Sequence, residues 1–250
     1  MRIDVSFTPH EVSRREGSGL CVVVDVLRAT SSMTTALWNG CTGIYPVIEP
    51  SEAFPLADGA EVLACGERNG VRIPGYHLGN SPADFSMEAV GGKRLAMCTT
   101  NGTRAVRAAA AYRRTFIGCF LNAPAVASLL AGEGDDVTIL CAGREGDFSM
   151  EDTLCAGMIL SELEGEVSDA AVASVAVFEQ YQERIAEVLL DAEHGRFLRR
   201  IGFAADVDYC ARAGITDIVP EVLASKEPPP HDLIIKARVD ADTFGEEKND

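Results

Sequence analysis

Asp25 and Arg28 stand just past an uninterrupted apolar run, Cys21-Val22-Val23-Val24. Thr30, Ser31 and Ser32 follow, and then apolar residues at helical spacing, Met33 and Leu37, with Ala36 and Trp38 beside them. A β-branched run without polar alternation predicts a strand covered on both faces, as in parallel sheets. A helix starting at the hydroxyl residues leaves free N–H groups and a positive dipole end at the strand's carboxyl edge. Open α/β sheets place ligands at that edge, and anions bind at helix starts. A carboxylate beside a guanidinium and a ring of hydroxyls suits a metal ion and a phosphate or carboxylate ligand.

Thr99-Thr100-Asn101-Gly102-Thr103 offers a second anion site. Its glycine allows close backbone approach, and its hydroxyls and helix-start N–H groups can surround phosphate oxygens. A capped helix start without a ligand explains the same residues equally well. Cys98 and Arg104 have the C-x5-R spacing of cysteine-dependent phosphatases, but Met97 and Ala105 stand where those enzymes carry histidine and a hydroxyl. The spacing therefore reads as coincidence, with Cys98 a strand-end core thiol.

Asp25, Glu67, Asp147, Glu151 and Asp152 fall at strand ends, loops or helix starts, and magnesium prefers such hard oxygen ligands. For Glu151 and Asp152, acids in a first helical turn, the helix dipole is a sufficient explanation. Arg28, Arg68 and Arg144 each lie close in sequence to one of these acids and could clamp an anion or form a surface ion pair. His77 is either a general acid or a surface residue; His10, His194 and His231 have no evident partner. Neither GxxxxGK[ST] nor GxGxxG is present.

Positioning these groups requires a repeated unit. Apolar strand, polar turn and helix recur around residues 20–40, 94–112 and 137–163. This alternation predicts a three-layer α/β/α fold with a mostly parallel or mixed sheet and several loop edges facing one crevice. Residues 1–239 read as a single α/β domain, with a sub-division near 130–140 left open, and residues 240–250 as a charged tail. Arg2–Phe7 reads as an edge strand and 66–82 as a long irregular loop, a functional signal in itself. Asn122 reads as a helix cap, 168–200 as two helices, 215–224 as helix or turn, and Pro228-Pro229-Pro230 as a break.

The chain has 250 residues, 47% of them apolar and 24% charged, with a formal net charge of −16. That charge argues against nucleic acid or an anionic membrane, though a small anionic substrate meets only a local field. No apolar run is long enough for a membrane span and no signal-peptide pattern opens the chain, so a cytoplasmic location is expected. Eight cysteines without a CxxC pair read as free buried thiols. Homo-oligomer formation is left open.

Taken in order, VVVDVLRATSS, GERNG, GNSP, TTNGTRA and CAGREGDFSMED resemble the 2-phosphosulfolactate phosphatase family, from about Val22 to beyond Asp152 and more loosely to Ala224. The resemblance implies a magnesium-dependent phosphomonoesterase that hydrolyses (2R)-2-phospho-3-sulfolactate to 3-sulfolactate and phosphate, the step after phosphosulfolactate synthase in coenzyme M biosynthesis. It implies an α/β fold unrelated to the haloacid dehalogenases, whose second aspartate the Asp25-to-Arg28 stretch lacks. On the matching motifs it implies Asp25, Glu67 and Asp152 as Mg2+ ligands, with Asp25, Arg28 and Asp152 catalytic. Arg28, Thr30, Asn101, Gly102 and Thr103 would contact phosphate, and Arg68 and Arg144 the substrate's carboxylate and sulfonate. The alternatives are a phosphatase for another phosphorylated 2-hydroxy acid and a non-catalytic anion-binding protein on the same fold.

Overall fold

Every residue of Leu20–Val24 is buried, with alternate side chains entering two different cores. A computed structural model describes residues 1–14, 19–227 and 231–238. Its strands are β1 (Arg2–Ser6), β2 (Leu20–Val24), β3 (Gly43–Val47), β4 (Val62–Arg68), β5 (Val71–Arg72), β6 (Arg94–Cys98), β7 (Arg114–Gly118), β8 (Val137–Cys141), β9 (Glu166–Val167), β10 (Pro220–Ala224) and β11 (Leu233–Ala237). They form one sheet in the order β5-β4-β6-β3-β11-β10-β7-β2-β8-β1-β9. Two parallel blocks, β4-β6-β3 and β7-β2-β8-β1-β9, are joined by the antiparallel hairpin β10–β11.

Helices α1 (Ala29–Trp38), α2 (Pro50–Leu56), α3 (Met87–Val90), α4 (Gly102–Ala109), α5 (Ala123–Glu133), α6 (Met150–Leu160), α7 (Asp169–Tyr181), α8 (Ile185–Asp191), α9 (Glu193–Arg200) and α10 (Ala204–Cys210) complete the layers. Cys21 and Val23 of β2 face α1 and α4, packing with Met33, Ala36, Ala105 and Val106. Leu20, Val22 and Val24 face α5 and α6, packing with Val126, Leu130, Cys155 and Ile159. On that side α2 covers β3, β4 and β6 through Val47, Ala53, Ala64 and Ala96. The result is the three-layer α/β/α arrangement with a mixed sheet. All eight cysteines are buried and free, and no helix among the described residues is long and apolar enough to cross a membrane.

Several local expectations change. Arg2–Ser6 lies inside the sheet edge, its outer side covered by β9. Residues 66–72 are ordered pairing: β4 runs to Arg68 and turns through Asn69 and Gly70, both at positive φ, into β5. Asn-Gly between paired strands is the preferred two-residue hairpin turn. Asn122 stands at the N-cap of α5 as expected, but its side chain makes no bond to that helix; it accepts from Cys119 N–H, closing the 3-10 turn before α5, and donates to the Ile117 and Ile218 carbonyls. Residues 168–200 form three helices and a 3-10 turn rather than two helices. Pro220–Ala224 is a strand, made so by pairing with β7 and β11 on both sides. The Pro228-Pro229-Pro230 break and the tail from 240 lie outside the described residues.

Candidate active site

The carboxyl ends of β2, β4 and β6 converge although β3, β11, β10 and β7 lie between β6 and β2. Five strand spacings of flat sheet would separate β6 from β2 by about 24 Å. The start of α4 nevertheless reaches the end of β2, where Gly102 meets Asp25 and Ala29. A cavity of about 240 Å³ opens where they meet, lined among others by Asp25, Arg28, Glu67, Thr100, Asn101 and Arg144.

Asp25 follows the last buried residue of β2 and is itself 6% exposed. Its Oδ1 accepts from Ala29 N–H at 3.3 Å, in the first turn of α1. Burial pushes its carboxyl up to about 6, opposed by His194 and the Ala29 bond and reinforced by Glu67 and Glu151. Arg28 is 3% exposed, donates to Asp206 Oδ2 and the Gly70 carbonyl, each at 2.6 Å, and stacks 4.2 Å from the Phe203 ring centroid. These hydrogen bonds use two of the five N–H groups of a guanidinium.

Glu67, at the end of β4, accepts from Gly70 N–H at 2.8 Å and Thr100 N–H at 2.7 Å. It ties the β4–β5 hairpin to the loop after β6. Gly66 before it holds a φ of +138°, and a Cβ there would strike the Cys98 carbonyl at 1.9 Å, so only glycine lets β4 pass β6 at this point. Asn101 Oδ1 accepts from Glu145 N–H at 3.0 Å, joining the loops after β6 and β8. Two buried polar atoms on residues lining the cavity, Asn80 Oδ1 and Thr100 Oγ1, have no hydrogen-bond partner. Such atoms are costly unless a ligand or water satisfies them.

The remaining expected residues do not line the cavity. Asp152 is buried, its Oδ1 accepting from Val26 N–H at 2.9 Å and Oδ2 from Gly143 N–H at 3.2 Å. Burial, with Asp25 and Glu151 nearby, raises its pKa well above the carboxylate range. Thr30 Oγ1 closes onto the Asp25 backbone N–H and carbonyl. Thr103 braces Thr99, which does line the cavity, across the start of α4. Gly102 makes room for Asp25. Arg68 follows Glu67 in a strand and therefore points to the opposite face. Its guanidinium donates to the Glu67 and Ile48 carbonyls and to Cys98 Sγ. Cys98 also lies off the cavity, and burial raises its thiol pKa.

Arg144 lines the cavity, pairs with the exposed Glu193 at 2.6 Å and lies 5.4 Å from the Phe197 ring centroid. The wall facing β2 comes from the C-terminal helices, which sequence reading left without a role. His194 and Phe197 of α9 line it, and Asp206 of α10 holds Arg28. His194 Nδ1 lies 3.2 Å from Glu151 Oε1. No local motif marks these residues; a histidine, two phenylalanines and an aspartate on amphipathic helices look like ordinary surface and core.

Among the described residues no group of three or more His, Cys, Asp and Glu side chains is arranged to hold a metal ion. The donor chemistry still fits magnesium, which takes one or two protein carboxylates and fills its shell with water and phosphate. Asp25 and Glu67 are two such carboxylates on one cavity, and their mutual repulsion shows negative charge that a cation would offset.

Carboxylates, arginines and the Thr99-to-Asn101 loop thus share one small polar cavity at the strand ends of an α/β/α fold. Residues 6–225 match the family model described as 2-phosphosulpholactate phosphatase. A probable 2-phosphosulfolactate phosphatase of Symbiobacterium thermophilum is 42% identical over 209 residues, 80% of this chain and 90% of the relative. Proteins of the same description are 38% identical in Clostridium perfringens, over 88% of this chain and 93% of theirs, and 39% identical in Pseudothermotoga lettingae, over 87% and 94%. The chain belongs to the 2-phosphosulfolactate phosphatase family, a family of phosphoric monoester hydrolases.

Proposed function

We propose that this chain is a magnesium-dependent phosphomonoesterase that hydrolyses (2R)-2-phospho-3-sulfolactate to (2R)-3-sulfolactate and phosphate. The observation that carries the reading is the pairing, in one cavity, of the Asp25 and Glu67 carboxylates with two arginines and the Thr99-to-Asn101 loop. This combination suits a phosphate and a cation together, which neither a purely acidic nor a purely basic pocket would. The acidic surface is no obstacle, because the substrate meets only this local field.

Asp25 and Glu67 are the residues that would hold Mg2+, and bound there it would supply positive charge against the phosphoryl oxygens. Arg28, fixed by Asp206, grips the phosphoryl group as charge develops, and Thr100 Oγ1 offers it an unused hydroxyl. Arg144 lies at the loop after β8, placed for the sulfonate or carboxylate end of the substrate. Asp152 holds the backbone on both sides: Val26 beside Asp25, and Gly143 before Arg144. Positioning and charge stabilisation supply most of the catalysis in phosphoryl transfer, so rigid support of this kind matters. The enzyme would act in the cytoplasm, on a small phosphorylated substrate, without a nucleic-acid or membrane partner.

Phosphate release from phosphosulfolactate, measured with magnesium and with excess EDTA, tests the reading. Activity is expected to vanish with EDTA and return with magnesium, and to be unchanged in Cys98→Ser. Turnover indifferent to EDTA would reject the metal role. Turnover confined to other phosphorylated 2-hydroxy acids would replace the substrate.

A further inference from the structure

His194 and Glu151 form a histidine–carboxylate pair at the cavity wall that nothing in the proposed chemistry above uses. Glu151 sits in the first turn of α6 with its side chain 4% exposed, and its Oε1 meets His194 Nδ1 at 3.2 Å. A carboxylate only accepts, so this bond places a proton on Nδ1 and aims the other ring nitrogen, Nε2, elsewhere. His194 lines the same cavity as Asp25, Arg28, Glu67 and Thr100. It also borders a second cavity of about 240 Å³, lined by Asp147, Ser149 and Glu193 among others, which lies behind Arg144. The histidine thus stands between the site and a polar opening.

Hydrolysis of an alkyl phosphate requires a proton for the departing alkoxide, a poor leaving group without one. Among the described residues lining the cavity, Arg28 and Arg144 cannot give one up. The Asp25 and Glu67 carboxylates are given to the cation, and Glu145 is an exposed loop residue at the cavity rim. Histidine is the side-chain type that both carries and releases a proton near neutral pH.

Resting on the phosphatase reading, we infer that His194 is the catalytic acid for the leaving oxygen and that Glu151 is its positioning residue. The substrate's P–O bond breaks with its electron pair moving to the alkoxide oxygen, which takes the Nε2 proton of the imidazolium. Water forms the new P–O bond, giving dihydrogen phosphate, which loses one proton through solvent to restore the imidazolium. The charged groups on the two cavities that His194 borders are Glu151 from α6, Asp25 and Arg28 after β2, Glu67 of β4, Arg144, Glu145 and Asp147 from the loop after β8, and Glu193 on α9.

The test is the pH dependence of kcat for phosphosulfolactate hydrolysis with saturating magnesium. The unmodified enzyme should lose kcat on the alkaline side. His194→Gln should lower kcat by about 10²- to 10⁴-fold, the usual range for a proton-transfer group, with KM little changed and the alkaline limb gone. Glu151→Gln keeps an acceptor for Nδ1 but removes the charge, and should displace the alkaline limb. A His194→Gln enzyme that retains kcat within threefold, or keeps the same alkaline limb, overturns the inference. So does a Glu151→Gln enzyme whose limb stays in place, or a loss confined to KM. An unmodified protein that releases no phosphate from this substrate defeats the phosphatase reading itself, an outcome visible before any variant is made.

Discussion

Gly102 lies so close to the Asp25 carboxylate that a Cβ at position 102 would sit 2.7 Å from Asp25 Oδ2 and 2.4 Å from the Ala29 Cβ. Two strands far apart in the sheet order meet through this contact. Gly102→Ala forces Asp25 or the start of α1 to shift. Stability is expected to fall by about 1–3 kcal/mol, the usual cost of overpacking. Turnover is expected to fall by about 10²-fold, since small misplacements at a reacting centre cost this much. Thermal unfolding and phosphate release measured on the same preparation check both parts; a variant with unchanged turnover would show that Asp25 tolerates displacement.

Asp206 carries no chemistry of its own but pairs with Arg28 deep in the cavity wall. Asp206→Ala leaves a buried guanidinium without its partner and Ser81 Oγ without its acceptor. The expected loss of stability is about 3–5 kcal/mol, as for other broken buried pairs. Inorganic phosphate should raise the melting temperature more in this variant than in the parent, because it supplies a substitute anion. Equal phosphate shifts in the two proteins would argue that Arg28 does not face the anion.

Asp152→Ala removes the acceptor for two amides, those of Val26 and Gly143. Both should exchange with solvent deuterium faster than in the parent. kcat/KM is expected to drop by at least about tenfold because both the Asp25 and Arg144 walls lose an anchor. Unchanged exchange at the two amides would mean that the surrounding fold holds them without Asp152.

The pH dependence of stability has a definite sign. Asp25 is raised from 3.8 to about 6 in the folded state, and Asp152 is raised as well. A folded state that holds protons more tightly than the unfolded chain is favoured at low pH. The Asp25 contribution is therefore fully present below 3.8 and is lost as pH rises through about 6, and that of Asp152 changes in the same direction. Metal-free protein should melt at lower temperature at pH 7.5 than at pH 5, and Asp25→Asn should flatten part of that slope. Magnesium should oppose the fall above pH 6, where the carboxylate is free to bind it. A parent and an Asp25→Asn protein with parallel slopes would contradict the shift.

Much of the architecture was legible locally. The Cys21–Val24 run, its acid and its following helix announced a covered strand with a ligand edge, because burial on both faces leaves a sequence pattern in one place. The same holds for Arg94–Cys98 with its Thr-Asn-Gly loop. Pro220–Ala224 was not legible, because its strand identity comes from partners on either side rather than from its own residues. The GERNG stretch read as loop although Asn69-Gly70 is a hairpin turn; the polar strand ends hid the pairing.

The sequence by itself determined the α/β alternation, the family and the presence of Asp25, Arg28, Glu67, Asn101 and Arg144 near strand ends. Spacing along a strand or helix is enough for that, since those periods are fixed by the backbone. Only the tertiary structure decided which of them share a cavity. Strand alternation sent Glu67 inward and Arg68 to the other face, and backbone amides took both oxygens of Asp152. The close approach of Gly102 to Asp25 brought the β6 loop to β2, and the packing of α9 and α10 delivered His194 and Asp206. These are long-range contacts, and a one-dimensional pattern carries no record of which distant residue will be packed against which.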